Sequence, residues 1–338
     1  LALHRLGTPV LLVGKLGDDI FSKAVIEKIS QESQHLAKDL VNDPGSATSI
    51  TLILNPPGID RSFLHFEGAN ADFSATDLST DVLTKADLFH FGNPSLMRSI
   101  YQQEGKELVA ILKKARQAGL TTSLDFSLPD PTSPAGKVDW IGVLERSLPL
   151  VDLFVPSVEE LTYMLHRKAY DALNQDPDCH FLDAVTPDLL GELSDQVLGY
   201  GVKAVMIKLG YRGVYLRTAE EKAWKEGGRA LMGIDPDWYG RQLWMPAFAV
   251  TVRGTTGAGD AAIAGFLSSL LRGETPETAL LMAAAVGACS VERLDAIGGI
   301  LPWDSILDRV KQGWETHPLD LDSDGWRMHS DYALWQKV

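Results

Sequence analysis

Gly254-Thr255-Thr256-Gly257-Ala258-Gly259-Asp260-Ala261-Ala262-Ile263-Ala264-Gly265-Phe266-Leu267 is the stretch whose reading decides the fold. The apolar run Phe248-Ala249-Val250-Thr251-Val252 before it reads as a strand, and the run from Ile263 to Leu271 reads as a helix. Small residues and one carboxylate therefore sit at a strand-to-helix junction. Gly257, Ala258 and Gly259 let a ligand approach the backbone closely. The first amides of a helix lack intrahelical acceptors and carry the positive end of its dipole, which suits a phosphate. Asp260 fits poorly as a plain phosphate contact, because its charge repels one. It fits well as the acceptor of a proton from whatever attacks the phosphate.

The chain has 338 residues, enough for one large α/β domain or two ordinary ones. Its 45% hydrophobic and 22% charged residues are those of a soluble globular protein. A formal net charge of −14 argues against a general nucleic-acid surface. No apolar run reaches membrane-spanning length, so no membrane partner is expected. Cys179 and Cys289 lie far apart without metal-ligand spacing, and a reducing, cytoplasmic compartment is the expectation.

The run from Thr255 to Asp260 resembles the second signature of the ribokinase family, the phosphofructokinase-B carbohydrate kinases. That resemblance implies that Asp260 is the catalytic base and that Gly257, Ala258 and Gly259 form the anion hole. It also implies an α/β three-layer fold: a mostly parallel central sheet, helices on both faces and a small β lid. The reaction implied is transfer of the ATP γ-phosphate to a hydroxyl of a small sugar or sugar derivative, with Mg2+ accompanying ATP. The family usually has Asp, Asn, Ser or Lys where this chain has Gly254, and an Asp there helps hold a monovalent cation. Glycine supplies no side-chain oxygen, so no monovalent cation is expected.

Elsewhere the resemblance is carried by weaker motifs. The spacing from Gly7 to Gly17 matches the second half of the family's first signature, with Val10-Leu11-Leu12-Val13 as a strand. The first half, which supplies a strand and sugar contacts, is expected upstream of Leu1. Residues 46–70 resemble the lid hairpin, with Asn55-Pro56-Pro57-Gly58 as its turn and Arg61 as its polar sugar contact. A homodimer through that lid is the assembly expectation. Asn93, Asp125 and Glu160 follow the carboxyl ends of expected strands, where open α/β sheets bind ligands. Asn93 and Asp125 are assigned to the sugar. Ser157-Val158-Glu159-Glu160 stands where the family has Asn-x-x-Glu, giving Glu160 an indirect role at magnesium. A helix-capping box explains Ser157 and Glu160 equally well.

On the nucleotide side the expected residues are Lys208, Gly210, Gly213, Thr255 and Thr256, the two glycines belonging to the hairpin turn Leu209–Gly213. Residues 168–186 read as an irregular insertion and 219–242 as a surface excursion. A single kinase domain is expected, with 313–338 as an acidic, solvated tail. Within that tail Asp320-Leu321-Asp322-Ser323-Asp324-Gly325 imitates a calcium loop, but Arg327 takes the place of its usual apolar residue.

Overall fold

The computed structural model describes residues 1–54, 62–175, 180–321 and 325–338. Its centre is an eight-stranded sheet. Four neighbouring strands are parallel: β5 (Leu88–Phe91), β6 (Thr121–Leu124), β7 (Leu153–Phe154) and β8 (Ala204–Lys208). β9 (Val214–Thr218), β10 (Gln242–Met245), β12 (Trp335–Lys337) and β11 (Trp326–Met328) extend the sheet antiparallel, in that spatial order. The sheet is thus mixed, and its parallel half is the half that βα connections build. β1 (Lys15–Gly17) and β2 (Val41–Asp43) form a separate parallel pair, and β3 (Ile50–Leu54) with β4 (Ser62–Phe66) an antiparallel hairpin.

Alternation along the strands divides the core in two. Val205 and Ile207 of β8 face one layer, with the helices Lys106–Gln117, Trp140–Ser147, Val158–Leu165 and Pro187–Gly199. Ala204 and Met206 face the other, with Ala258–Leu271, Pro276–Val291 and Trp303–Lys311. Three layers result, as expected. The second layer is tight because its helices carry small residues: a Cβ at Gly265 would lie 2.4 Å from the Met282 carbonyl oxygen. Pro276 opens the Pro276–Val291 helix under a Thr275 cap, where a missing N–H costs nothing.

Several expected elements differ. Val10–Val13 is not a strand: β5 ends the large sheet among the described residues, and β1 pairs only with β2, so these residues have no ladder to join. Phe248–Val252 is not one either. The ladder stops at Met245, because Pro246 has no N–H to donate, and only a bridge from Phe248 to Thr316 follows. The helices Arg98–Tyr101 and Lys106–Gln117 are separated at Gln102–Gly105, where Gln103, Glu104 and Gly105 all have positive φ. The 168–186 segment begins with a helix, Arg167–Gln175; Cys179 and Arg61 lie outside the described residues. The 219–242 excursion buries Trp224, Leu231 and Trp238 in the second core. The hairpin of β3 and β4 stands out from the body. Its Ile50–Phe66 and Leu52–Leu64 pairs line one face, and Leu52, Leu64 and Phe66 are exposed.

The C-terminal tail is the largest correction. Trp326–Met328 and Trp335–Lys337 are two strands of the sheet, not solvated chain. Apolar burial overrides the acidic composition: Trp326 and Leu334 are buried, and Trp326 packs on Tyr215 and Trp244 with ring centroids 6.4 Å apart. Three residues of the calcium-loop imitation, Asp322–Asp324, fall outside the described residues. Trp326→Ala should therefore cost about 3 kcal/mol of stability, as large-to-small changes of buried aromatics do. Urea unfolding of the two proteins measures it, and a cost under about 0.5 kcal/mol, the range of surface changes, would mean the tail is not part of the core.

Candidate active site

Polar residues collect at the carboxyl end of the parallel strands, on the face covered by the Ala258–Leu271 helix. That helix begins earlier than its apolar run suggests, so Asp260 lies in its first turn rather than before it. Gly257 is the N-cap with φ +79°, and a Cβ there would stand 2.6 Å from the Ala296 Cβ. Both the left-handed turn and the lack of room require glycine. The first-turn amides face out of the helix. The Ala258 amide also makes a long 3.3 Å bond to the Thr255 carbonyl. Asp260 is exposed.

Lys208, at the end of β8, joins the separate elements. Its Nζ donates to Asp125 Oδ1 at 2.7 Å. Its stem runs beside the start of the Ala258–Leu271 helix: a Cβ built on Gly259 would sit 3.5 Å from Lys208 Cδ and 3.6 Å from Nζ. Asp125 follows β6 and is only 3% exposed. Burial pushes its carboxyl up to about 7; the Lys208 ammonium opposes this, and the charges of Glu160 and Asp260 add to it. Burial works against the Lys208 charge, yet Asp125, Glu160 and Asp260 together hold its pKa above the ordinary lysine value.

Asn93 and Glu160 are already hydrogen-bonded within the protein. Asn93 follows β5 with φ +57°, and its Oδ1 accepts from Ser127 Oγ at 2.5 Å. Glu160 opens the Val158–Leu165 helix as the partner of a real capping box: Ser157 N donates to its Oε2 at 2.6 Å, and its own amide donates to Ser157 Oγ at 3.2 Å. Burial raises its pKa, against the pull of Lys208. Gly213 has φ +92°, and a Cβ there would fall 2.0 Å from the Met245 carbonyl oxygen, so packing against β10 fixes this glycine. Gly210 lies against Leu182 of the insertion. Thr255 and Thr256 lie in the loop just before the helix. Among the described residues no cluster of three His, Cys, Asp or Glu could by itself hold a metal ion.

Two features escape a reading of the sequence. His90 on β5 is paired in register with Ser123, and its Nδ1 lies 3.0 Å from Ser123 Oγ. Two residues before Asp125, Ser123 shares its face, so His90 belongs to the same polar group. Period-two alternation within each strand is the only sequence signal for this. The second feature is the insertion, which docks on the Leu209–Gly213 turn. Arg212 donates to the Leu182 and Val185 carbonyls at 2.6 Å each, and Tyr211 donates to Asp183 at 2.5 Å.

Comparison with known proteins bears on the family and the fold. The family model described as pfkB family carbohydrate kinase matches residues 1–304. Fructokinase-2 of Oryza sativa subsp. japonica is 24% identical over 272 residues, covering 80% of this chain and 67% of that protein. Among solved structures, the fructokinase with bound ATP from Xylella fastidiosa has a TM-score of 0.67 at 21% identity, covering 92% of this chain and 88% of that one. A fructokinase double mutant from Vibrio cholerae O395, bound to fructose, ADP and potassium ion, has a TM-score of 0.66 at 19% identity, covering 91% and 86%. These two likenesses establish the fold.

The His90 imidazole gives this site a pH signature. Burial, aided by the Lys208 charge, lowers its pKa to about 4. The unfolded chain therefore binds a proton between about pH 6.5 and 4 that the folded chain does not, and stability falls as pH drops through that window. His90→Gln should remove about 2 kcal/mol of the stability loss between pH 7.5 and pH 5. Urea unfolding at both pH values measures it, and an unchanged loss would assign the acid sensitivity elsewhere.

Proposed function

Since the chain belongs to the pfkB family of carbohydrate kinases, we propose that it transfers the γ-phosphate of ATP to a hydroxymethyl group of a small sugar, with Asp260 as the general base. The observation that carries this reading is the position of Asp260, on the first turn of a helix whose leading amides and glycines suit a phosphate. The acceptor hydroxyl gives its proton to the Asp260 carboxylate as its oxygen attacks the γ-phosphorus. The amides of Gly257, Ala258 and Gly259 stabilise charge on the transferring group. Asn93 and Asp125 orient the sugar, and Arg61, beyond the described residues, meets it from the lid. Lys208, Thr255, Thr256 and the backbone at Gly210 and Gly213 bind the nucleotide. The β3–β4 hairpin, closing over the sugar, keeps water from competing as acceptor.

Charge balance supports a divalent cation with the nucleotide. When ionised, Asp125, Glu160 and Asp260 set three negative charges against the one of Lys208. Mg2+ bound with ATP neutralises charge on its phosphates and takes few ligands from protein. Glu160 has one oxygen in the cap, and its other oxygen would be the one to hold a water of the bound metal.

The first test is turnover of MgATP with a panel of fructose, ribose, a nucleoside and a keto-deoxy sugar acid. Asp260→Asn should lower kcat about 100-fold or more. ATP affinity should hold or tighten, because a charge that repels phosphate is gone. Turnover near that of wild type would remove Asp260 from the mechanism.

The monovalent-cation dependence should be slight. Gly254 carries no oxygen ligand, and a Cβ built there meets only backbone of Arg293 and Leu294, with carbonyl oxygens at 3.3 and 3.4 Å. Replacing potassium by a bulky organic cation at matched ionic strength should change turnover less than about twofold, within the small effect expected of screened charge. Several-fold activation by potassium would mean that backbone carbonyls alone hold the ion.

A further inference from the structure

An ammonium has three N–H donors. Asp125 takes one from Lys208, and the others have no acceptor among the described residues. The side chain is only 12% exposed, so solvent reaches those donors poorly. They lie beside Gly259, where the anion hole opens. An ammonium that is only partly exposed and has donors to spare beside a phosphate site has room for a further anionic oxygen.

We propose that Lys208 contacts the γ-phosphate itself, and that Asp125 is the positioning residue that holds its ammonium under the anion hole. This deepens the sugar-kinase reading and rests on it. In the transfer, the bond between the sugar oxygen and the γ-phosphorus forms as the bond from the γ-phosphorus to the β–γ bridging oxygen breaks. The electron pair of the broken bond stays on ADP, and the sugar proton goes to Asp260. Lys208 keeps its protons throughout. Its fixed charge offsets the charge on the equatorial oxygens together with the helix amides it lies beside. The rival is that Lys208 merely neutralises the buried Asp125, as buried pairs do.

Calorimetric binding of MgATP and MgADP separates the two, alongside turnover. Lys208→Met should weaken MgATP about tenfold, the worth of a charge-assisted hydrogen bond, and MgADP less than about twofold. It should lower kcat about 100-fold. Lys208→Arg should recover most of the lost discrimination. Because Lys208→Met strands a buried carboxylate, the double variant Lys208→Met/Asp125→Asn removes both charges and keeps the question open to test if the single variant does not fold. Loss of the MgATP-over-MgADP preference in the double variant supports the proposal. Equal affinities lost for both nucleotides, or a preference retained in the double variant, overturns it. If wild type phosphorylates none of the panel sugars, the acceptor assignment fails while the nucleotide comparison still decides the role of Lys208.

Discussion

The site depends on how closely two helices of small residues can approach. Ala258–Leu271 and Pro276–Val291 meet where Gly265 touches the Met282 backbone, and the chain beyond the second helix presses Ala296 against Gly257. No side chain fits at either contact. The first contact sets the separation of the helices, and the second sets where the Asp260 helix begins. Moving that start by one residue would swing Asp260 about 100° around the helix axis, away from Lys208. Packing in the second core and placement of Asp260 are therefore a single constraint, expressed through glycine.

Charge is distributed unequally between the two ends of the sheet. At the amino end Asp152 is fully buried and accepts from Arg116 at 3.0 Å, Lys203 at 3.1 Å and the Thr122 amide at 2.9 Å. Two cations face one anion there, and its hydrogen bonds are made within the protein. At the carboxyl end the balance reverses, with three carboxylates around Lys208. A buried charge left short of partners is costly, and proteins retain such arrangements where a ligand completes them.

Much of the candidate site was legible because its signals are local. The run from Gly257 to Asp260 announces a helix start through residue types that only backbone geometry requires. The box at Ser157 and Glu160 is likewise local, and it formed as its spacing dictates. What was illegible depends on partners distant in sequence. His90 enters the site through its register with Ser123, which no local pattern encodes. Val10–Val13 has the composition of a strand but no neighbouring strand among the described residues, and composition cannot report pairing. The tail misled in the opposite sense. Its acidic residues suggested solvation, while Trp326 and Trp335 had a waiting surface around Tyr215 and Trp244, and Leu334 joined the opposite core. The insertion hid its docking because Arg212 bonds backbone carbonyls, which carry no residue identity.

The matched family region stops at residue 304, and both tail strands lie beyond it. β12 covers the side of β10 that β9 leaves open, and β11 covers β12. An uncovered β10 would present a row of unpaired amides and carbonyls between buried Trp244 and Leu243, a template for sticking to other chains. The tail replaces that edge with a three-residue strand whose middle residue is the exposed Arg327. Short length and a charged side chain both discourage further strand addition. The last residues of the sequence thus act as a guard against aggregation, a task separate from catalysis and invisible in any assay of the folded enzyme.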